Sequence, residues 1–481
     1  MGSNEDARVD MTTGAISPKL FTLAWPLVVG NLLQTFYNLA DMFWVGRVST
    51  EAVAAVSLMF PLEWMFISTA MGITAATIAL VSQHVGAGNE RDAEVVVAQT
   101  TLIAVVGGLV LAGIGLFFRE ELLTLMGARG QVYVEAMAYI EVAFLALPFT
   151  FLFFAFRSSL QGAGDTKTAM WLVAISVVIN VVLDPFFILG WGPFPEMGTR
   201  GAAVATFIAR GFAALAGIYI LLAGHWGIRL TVPDLRPDPD VLRQLVLIGY
   251  PASIDGWARS FAAVAMAGFV ARFGDAATAA YGIGIRLMSV SWTVSGAIGD
   301  ATSTGVGQNL GARTPDRAAE VTWKATGVTM LILGGVAGLV VAFPEVAMGI
   351  FVDDPEPIAE GVTFLRIVAP FWAFFGGVMV IQGAFRGAGK TGVAMVLSFL
   401  SRWVFQVPFA LALAFTAVTI PYVGVTVETV PAVDLGVSGI WWAYSIGAFG
   451  SFLIAAFWFR LRTWEEGVIE HDEPVPADDD D

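Results

Sequence analysis

The chain repeats one pattern along its length, which predicts a fold of two similar halves. The tightest match joins residues 162–170, GAGDTKTAM, to residues 387–395, GAGKTGVAM. These segments are 225 residues apart, and the same offset relates further landmarks: Pro26 and Pro251, 81–83 and 306–308, 86–87 and 311–312. One constant shift over such distant landmarks indicates a duplicated architecture and excludes a chance local motif.

Each half is apolar enough to consist of membrane-spanning helices. Hydrophobic residues make up 57% of the chain and charged residues only 14%, against about 25% charged residues in soluble domains. Cutting the sequence at charged and turn-rich joints predicts twelve spans, which begin near residues 18, 53, 93, 133, 167, 200, 241, 279, 320, 360, 392 and 437. The fold class we expect is an all-α integral membrane protein with twelve transmembrane helices in two pseudo-symmetric six-helix lobes.

The domain boundaries follow from composition. Residues 229–240 contain three prolines and alternating charges, so they cannot form a span and are predicted to link the halves. The repeat offset grows near the end, because Gly198 corresponds to Gly436, so the second copy contains an insertion. We predict five segments: an N-terminal tail 1–16, an N-lobe 17–227, a linker 228–240, a C-lobe 241–463 and an acidic, disordered tail 464–481. Two equal membrane halves are typical of transporters.

Basic residues predict the orientation in the cell membrane. With twelve spans, both termini lie on one side, and that side contains fifteen of the Lys and Arg residues in the joints and flanks, against five on the other. Short loops rich in Lys and Arg stay in the cytoplasm. We therefore expect a multi-pass protein with both termini cytoplasmic. The polar, acidic start of the chain does not resemble a signal peptide.

The charge balance excludes several partners and suggests a habitat. A net charge of −15 argues against nucleic acid as a partner. Acidic residues are abundant and only four of the 25 basic residues are Lys, which suggests the salt-rich cytoplasm of a halophilic archaeon, where salt screens self-repulsion. There is no Cys, and the three His residues are far apart in sequence, so neither disulfides nor a histidine metal site is expected.

A glycine-rich segment resembles a phosphate-binding loop but lacks its pattern. Residues 385–391 read FRGAGKT, whereas the P-loop needs a glycine at the position of Ala384. The matching turn of the first half has Asp165 in place of Lys390. We interpret both segments as tight turns between helices. No catalytic residues and no cofactor are predicted, so the protein is not expected to be an enzyme.

Carboxylates within predicted spans are the strongest functional signal, because each costs several kcal/mol unless it faces a partner or a cavity. Asp41 lies late in the first span and Asp184 in the fifth, where Asn180 shares its helix face. Together they could bind a proton or a small cation such as Na⁺. The alternative is structural, with Asp41 at the interface and Asp184 beside the bend at Pro185.

Other candidates are less specific. Tyr37, Tyr139 and Glu141 could line a substrate cavity, and Pro26 could act as a conformational hinge. In the second half, Asp255 and Asp300 form a possible second site, although Asp255 with Arg259 four residues later is most simply a neutralised pair. Glu63 is interpreted as interfacial. The repeat equivalents of Asp41 and Asp184 are Met266 and Phe409, so one half is expected to bind the coupling ion.

These features together resemble the multidrug and toxic compound extrusion (MATE) family. The similarity covers residues 17–462 and rests on five segments: Pro26 with 38–46, 83–88, 157–166, 180–185 and 198–205. It implies a V-shaped pair of lobes and a secondary antiporter, in which entry of H⁺ or Na⁺ drives export of small amphipathic, often cationic, drug-like compounds by alternating access. Asp41, Asn180 and Asp184 resemble the cation site of the archaeal and DinF-like branch. We expect a monomer surrounded by lipid.

One departure and one alternative follow from the resemblance. Members of that branch often place a threonine near position 202, where this chain has Ala202, which favours protons over sodium as the coupling ion. The alternative function is a flippase for lipids or lipid-linked oligosaccharides, which would need a basic central cavity. The possible contributors to such a cavity are Arg210, Arg259, Arg286 and Arg402. A membrane prenyl transferase would need paired Asp-rich motifs, which the spans lack.

Overall fold

The computed structural model describes residues 8–224, 229–415, 417–420, 425–428 and 435–469. The helices of the first half are α1 Ile16–Val45, α2 Thr50–Gly86, α3 Glu90–Phe117, the short α4 Arg119–Leu125, α5 Gly130–Gly162, α6 Thr166–Ile188 and α7 Thr199–Ala223. A 3₁₀ turn, Val232–Leu235, lies in the predicted linker.

The second half repeats this order. Its helices are α8 Pro239–Ala271, α9 Asp275–Gly311, α10 Pro315–Ala342, the short α11 Pro344–Gly349, α12 Pro355–Val368, α13 Trp372–Gly387, α14 Thr391–Phe399, α15 Val407–Ala414 and α16 Val437–Arg460. A 3₁₀ turn, Ala369–Phe371, joins α12 to α13, and the π-helical stretch Leu400–Gln406 joins α14 to α15. Each of these pairs therefore forms one span.

The twelve predicted spans correspond to twelve long helical segments in the described part of the chain. Every predicted start lies within five residues of the observed one. Ten of the segments are long and apolar enough to cross a membrane by length and composition alone. The other two are α8 and α9, which have charged residues in mid-helix, among them Asp255, Arg259 and Asp300. The all-helical class is confirmed, with one small addition.

The addition is a β-hairpin in the predicted insertion. Strand β1, Ala417–Ile420, pairs antiparallel with β2, Val425–Glu428, between α15 and α16. The equivalent connection in the first half runs only from α6 to α7, through residues 189–198. The extra residues of the second copy therefore lie in this connection and leave the helical repeat intact.

The two Gly-Ala-Gly segments are turns between helices, as the sequence indicated. Gly164 and Gly389 have φ angles of 89° and 75°, which a residue with a side chain rarely adopts. The Asp165 side chain accepts a 3.0 Å hydrogen bond from the Thr168 amide and caps α6, whereas Lys390 provides no such cap to α14. The difference at this position concerns helix capping and does not involve phosphate binding.

Helix α1 contacts both halves of the protein, and Pro26 lies where the contact changes. Up to Leu27, its buried residues Ile16, Leu20 and Leu23 pack with residues of α9, α10 and α13 in the second half. Beyond this point, Gly30 faces Val173 of α6 and the helix belongs to the first half. Helix α8 does the reverse, since Leu245 and Ile248 pack with the first half before Pro251, and Met266 and Val270 with the second half after it.

The two halves meet at the end of the bundle where α1 begins and α16 ends, which we call the terminal end. Two equivalent glycines make this contact close. A Cβ atom on Gly86 of α2 would lie 1.9 Å from the Gln308 carbonyl oxygen, and one on Gly311 of α9 would lie 1.9 Å from the Gln83 carbonyl oxygen. The backbones of α2 and α9 therefore touch without intervening side chains.

Away from the terminal end, the halves separate. Among the described residues, the hydrogen bonds between the halves reach no further along α2 than Met65, whose carbonyl accepts from Trp257 Nε1 at 3.1 Å. None involves residues 50–64 of α2 or 275–303 of α9. This arrangement corresponds to the V shape that the resemblance implied, with the opening on the side away from the termini.

Both terminal segments pack against this junction. The Val9 amide bonds to the Gly164 carbonyl oxygen at 3.2 Å, and Met11 is fully buried in the second half. At the other end of the chain, Trp464 is fully buried and stacks on Phe459 with ring centroids 4.5 Å apart. Residues 464–469, assigned from sequence to a disordered tail, are therefore packed against the protein. The rest of that predicted tail lies outside the described residues.

Candidate functional site

Three helices of the first half bring the predicted polar residues together. Asp41 comes from α1, Asn180 and Asp184 from α6, and Thr206 from α7. Asp184 and Asn180 have exposed fractions of 0% and 1%, and Asp41 has one of 8%. The spacing of four between Asn180 and Asp184 places both on one face of α6, as the sequence predicted. This structure brings the three predicted cation-coupling residues into one buried cluster.

Thr206 lies at the centre of the hydrogen bonds in this cluster. The Tyr37 hydroxyl shares a 2.9 Å bond with Thr206 Oγ1. With its amide turned so that both ends are satisfied, Asn180 donates to Asp184 Oδ2 at 3.2 Å and accepts from the Thr206 amide at 3.1 Å. Tyr37, which sequence placed near the cavity, thereby connects α1 to α7. The position of Asn180 is fixed from both sides.

The two carboxylates each retain a buried oxygen without a hydrogen-bond partner, Oδ1 of Asp41 and Oδ1 of Asp184. Their charges act on each other. Two carboxylates this close are stabilised when they share a proton or a cation. Carboxylate, amide and hydroxyl oxygens are the ligands that hard cations prefer. The described residues contain no group of three or more His, Cys, Asp and Glu arranged to hold a metal, so a cation here would also use Asn180 or Thr206.

The sequence departure at Ala202 has a structural counterpart. Ala202 is buried on α7 and offers no oxygen from its side chain. Thr206 lies one helical turn later on the same face, and its hydroxyl contacts Asn180. A threonine hydroxyl is therefore present in the cluster, and the absence of one at position 202 gives no reason to favour protons over sodium.

Glu63 is the residue that the sequence interpretation placed wrongly. It accepts a short hydrogen bond from the buried hydroxyl of Tyr139, and its charge acts on Asp41. The interpretation of Glu63 as interfacial is therefore wrong, because the side chain lies beside the carboxylate cluster. Tyr139 thus bonds a carboxylate, and what the sequence did not show is that this carboxylate is Glu63.

Glu141 does not join the cluster. Its carboxylate lies 3.4 Å from Arg119 Nε, at the start of α4. Glu141 is two residues from Tyr139 on α5, so the two side chains point to different faces of the helix. Of the three residues predicted to line the cavity, Tyr37 and Tyr139 are at the site and Glu141 is not.

Arg210 of α7 borders the same site. Its guanidinium donates to Gln34 Oε1 at 3.0 Å and lies 4.3 Å from the centre of the Phe153 ring. A narrow space beside the carboxylates is surrounded by side chains from α1, α6 and α7, namely Gln34, Tyr37, Ser176, Val177, Asn180, Thr206, Ala209 and Arg210. The first half thus places the Arg210 guanidinium around the same space as Asn180 and Thr206, the neutral members of the carboxylate cluster.

The charged residues of the second half form a different arrangement. Asp255 Oδ2 accepts from Arg259 Nε at 3.0 Å and from Arg259 Nη2 at 2.6 Å, which agrees with the interpretation as a neutralised pair. Asp300 makes no ion pair within 4.0 Å in the described part of the chain, and the charges of Arg157 and Arg386 act on it. The charge of Arg386 acts on both Asp255 and Asp300, but of the two only Asp255 forms an ion pair among the described residues, so they do not repeat the carboxylate cluster of the first half.

The fold of the protein is similar to that of known membrane proteins. A solved structure described as the outward-facing conformation of a multidrug resistance MATE family transporter has the same fold, with a TM-score of 0.85 over 96% of this chain and 98% of the other. At 23% identity, this likeness concerns the fold alone. Twelve spans in two duplicated halves with this fold define the class as a multi-pass, all-helical membrane protein.

The family follows from sequence. The MatE family profile matches residues 26–186 and 251–412, one stretch in each half. The chain is 33% identical over 448 residues, 92% of its length, to the probable multidrug resistance protein YoeA of Bacillus subtilis. It is 25% identical over 404 residues to a protein of Shewanella oneidensis named FAD transporter, covering 89% of that protein. The chain belongs to the MatE family of multidrug efflux transporters.

Proposed function

We propose that the protein is a cation-coupled antiporter, which exports amphipathic drug-like compounds in exchange for H⁺ or Na⁺. The observation that supports this proposal most directly is the pair of buried carboxylate oxygens without partners, on Asp41 and Asp184. A buried charge of this kind is costly unless a proton or cation compensates it. The electrochemical gradient of that ion supplies the free energy for export, and the site couples the downhill movement of the ion to the movement of the compound.

Coupling requires that the ion changes the balance between two conformations, because a ligand shifts an equilibrium only through different affinities for its two states. Asp41 and Pro26 lie on the same helix, fifteen residues apart. Helix α1 is packed against the second half before Pro26 and holds Asp41 in the first half after it. We infer that neutralising the Asp41–Asp184 pair bends or straightens α1 at Pro26 and alters the contact between the halves.

The predicted orientation gives the direction of transport. If the terminal end is cytoplasmic, the open side of the V faces outward, and the conformation described above is the one that releases compounds outside. Ion entry into the acidic cluster from that side would lower the affinity for the bound compound. Return to the inward-open state would then carry the ion to the cytoplasm and expose the cavity to new compounds.

The names of the relatives cover more than one kind of compound, since one is a probable multidrug resistance protein and another a FAD transporter. Membership of the family therefore does not identify the exported compound, which depends on the residues of this chain. The flippase alternative has less support, because the carboxylates of the first half suit a cation better than a lipid phosphate. The monomeric state and the salt-rich cytoplasm that the sequence suggested stay predictions.

The proposal is tested by dye efflux from vesicles that contain the purified protein. Ethidium release is followed with a proton gradient and a sodium gradient imposed separately, for the wild type, Asp41→Asn and the control Glu141→Gln. We expect one gradient to drive efflux in the wild type and the control, and Asp41→Asn to lose it. Equal efflux in Asp41→Asn, shown to be folded by its elution and thermal unfolding, would refute the assignment. No efflux in the wild type under either gradient would contradict antiport itself.

A further inference from the structure

Arg402 lies at mid-membrane depth, and within the described part of the chain no carboxylate forms an ion pair with it. It belongs to the π-helical stretch between α14 and α15, eleven residues from the start of α14 at Thr391. At about 1.5 Å per residue, this is roughly 16 Å into the span. A guanidinium at this depth is costly and, in membrane proteins, usually faces a partner or a water-filled cavity. The π-helical geometry around it is common at functional sites.

The protein groups around Arg402 do not neutralise it. Its one hydrogen bond recorded among the described residues runs from Nη1 to Ser398 Oγ, a long contact of 3.4 Å. Among the described residues, Asp255 is the carboxylate whose charge acts on Arg402. However, Asp255 is already held by Arg259 through two hydrogen bonds, and Arg259 also reaches Gln382 at 3.3 Å. Two guanidinium groups share one carboxylate, which leaves one positive charge uncompensated.

The surroundings of Arg402 suit an amphipathic compound. The hydroxyl groups of Tyr281 and Tyr444 share a 2.7 Å hydrogen bond, and Tyr444 is close enough for electrostatic interaction with Arg402. The Tyr281 ring in turn stacks on Trp441 at a centroid separation of 5.9 Å. A guanidinium beside aromatic rings can bind an anionic group while the rings contact the apolar part of the same molecule.

The repeat shows that this charge belongs to the second half alone. At the offset of 225 residues, Arg402 corresponds to Val177 and Arg259 to Gln34. The carboxylates Asp41 and Asp184 have the opposite distribution, since their equivalents in the second half are apolar. The two halves therefore suit ligands of opposite charge. The first half can compensate a bound cation, and the second half can compensate a bound anion.

We propose that Arg402, supported by the Arg259–Asp255 pair, forms an anion subsite in the second half of the transporter. Its ligand is the carboxylate or phosphate group of an amphipathic compound. This inference rests on the proposed export function and predicts that, among the exported compounds, those with such a group, including zwitterions, bind most tightly. The cation site at Asp41 and Asp184 is separate, so the exported anion and the coupling ion occupy different halves.

A matched pair of dyes tests the subsite. One is a rhodamine with a free carboxylate on its phenyl ring, and the other is the methyl ester of the same dye, so that only the anionic group differs. Binding to the purified full-length protein is measured at equilibrium by fluorescence anisotropy, without any ion gradient. The variants are Arg402→Gln, the charge-conserving Arg402→Lys, and Arg366→Gln, which removes an exposed arginine of α12 in the same half that pairs with Glu345 at 3.1 Å.

We expect the wild type to bind the carboxylate dye at least about tenfold more tightly than its ester, the usual effect of a charge-assisted contact. Arg402→Gln should abolish this preference without weakening ester binding, Arg402→Lys should retain part of it, and Arg366→Gln should retain all of it. A wild type without preference for the carboxylate, or an unchanged preference in Arg402→Gln, would overturn the proposal. If Arg402→Gln does not fold, the uncharged Arg402→Met is measured in its place, and an unchanged carboxylate preference in that variant would overturn the proposal as well.

The binding measurement separates this inference from the proposed antiport. If the antiport proposal is wrong but the subsite exists, the wild type shows no gradient-driven efflux and still binds the carboxylate dye more tightly than its ester. Competition shows whether the subsite recognises the anionic group alone or the aromatic part of the compound as well. Inorganic phosphate displaces the carboxylate dye if the anionic group alone is recognised. Displacement only by an aryl phosphate of similar size shows that the aromatic wall contributes to recognition. In either case the displacement must disappear in Arg402→Gln.

Discussion

Gln83 and Gln308 occupy equivalent positions in the two repeats, and each side chain accepts a hydrogen bond from a main-chain amide of a terminal segment. Gln308 Oε1 accepts from the Met11 amide at 2.8 Å, and Gln83 Oε1 accepts from the Val468 amide at 2.8 Å. Each also donates through Nε2, Gln308 to the Val9 carbonyl at 3.2 Å and Gln83 to the Gly387 carbonyl at 3.0 Å. The N-terminal segment is thereby held by the second half, and the C-terminal segment by the first.

This relationship predicts that Gln308→Ala loosens the junction of the halves. The change removes two buried hydrogen bonds, worth about 2 kcal/mol together, and leaves the Met11 amide without its partner. We expect a longer distance between spin labels at Asn89→Cys and Thr314→Cys, equivalent positions at the terminal end in a chain without native cysteine. Gln131→Ala, in an exposed residue at the other end of the bundle, is the control. An unchanged distance distribution would show that the terminal segments do not hold the halves together.

A second prediction concerns the glycine contact between α2 and α9. In Gly86→Ala, the new Cβ would meet the Gln308 carbonyl oxygen at 1.9 Å, and a helix backbone cannot yield as a side chain does. We expect the closed junction to be lost, with a large change in the same label distance and loss of transport. Gly107→Ala on α3 is the matched control, since its Cβ would meet no atom within 4 Å. It should stabilise the helix by roughly 0.5–1 kcal/mol. Normal transport in Gly86→Ala would contradict this view of the junction.

The linker provides a prediction about pH. Asp234 accepts hydrogen bonds from Arg91 Nη1 at 2.7 Å and from the Thr231 hydroxyl at 2.6 Å. The bond to the Arg91 guanidinium, helped by Thr231, holds the pKa of Asp234 below its ordinary value of 3.8. The pKa is lower in the folded protein, so the carboxylate stabilises the fold fully above this ordinary value. That contribution is lost as the pH falls through the folded-state pKa.

We therefore expect Asp234→Asn to lower the thermal unfolding temperature at neutral pH, and the difference from the wild type to shrink as the pH falls below 3.8. The exposed Asp353→Asn should leave the unfolding temperature nearly unchanged at every pH. Unfolding in detergent followed by intrinsic tryptophan fluorescence measures both. If the difference in unfolding temperature between Asp234→Asn and the wild type grew as the pH fell, its pH dependence would have the opposite sign to the one expected. The Arg91 contact would then be excluded as its cause.

The sequence predicted the helices well because hydropathy and the repeat report on the membrane and on the duplication directly. It also predicted the Asn180–Asp184 face, since a spacing of four is a local property of a helix. It failed for Glu63, whose partner Tyr139 lies 76 residues away. Pairing between distant helices depends on their rotation and tilt, which neither composition nor periodicity contains. The same holds for Trp464, which lies next to an acidic run yet is buried.

The last prediction concerns Thr206, because the family resemblance directed attention to position 202, whereas the hydroxyl in the cluster comes from position 206. Thr206→Val keeps the shape of the side chain and removes the group that holds Tyr37 and Asn180 together. Loss of a hydrogen bond worth about 1 kcal/mol corresponds to a roughly fivefold weaker site. We expect the ion concentration for half-maximal dye efflux to rise by about this factor, with an unchanged maximal rate, and Thr206→Ser to behave as the wild type. Thr278→Val, at an exposed threonine of α9, controls for the substitution itself. Should Thr206→Val reduce only the maximal rate and leave the ion dependence as it is, Thr206 would act on the movement of α7 and not on the cation site.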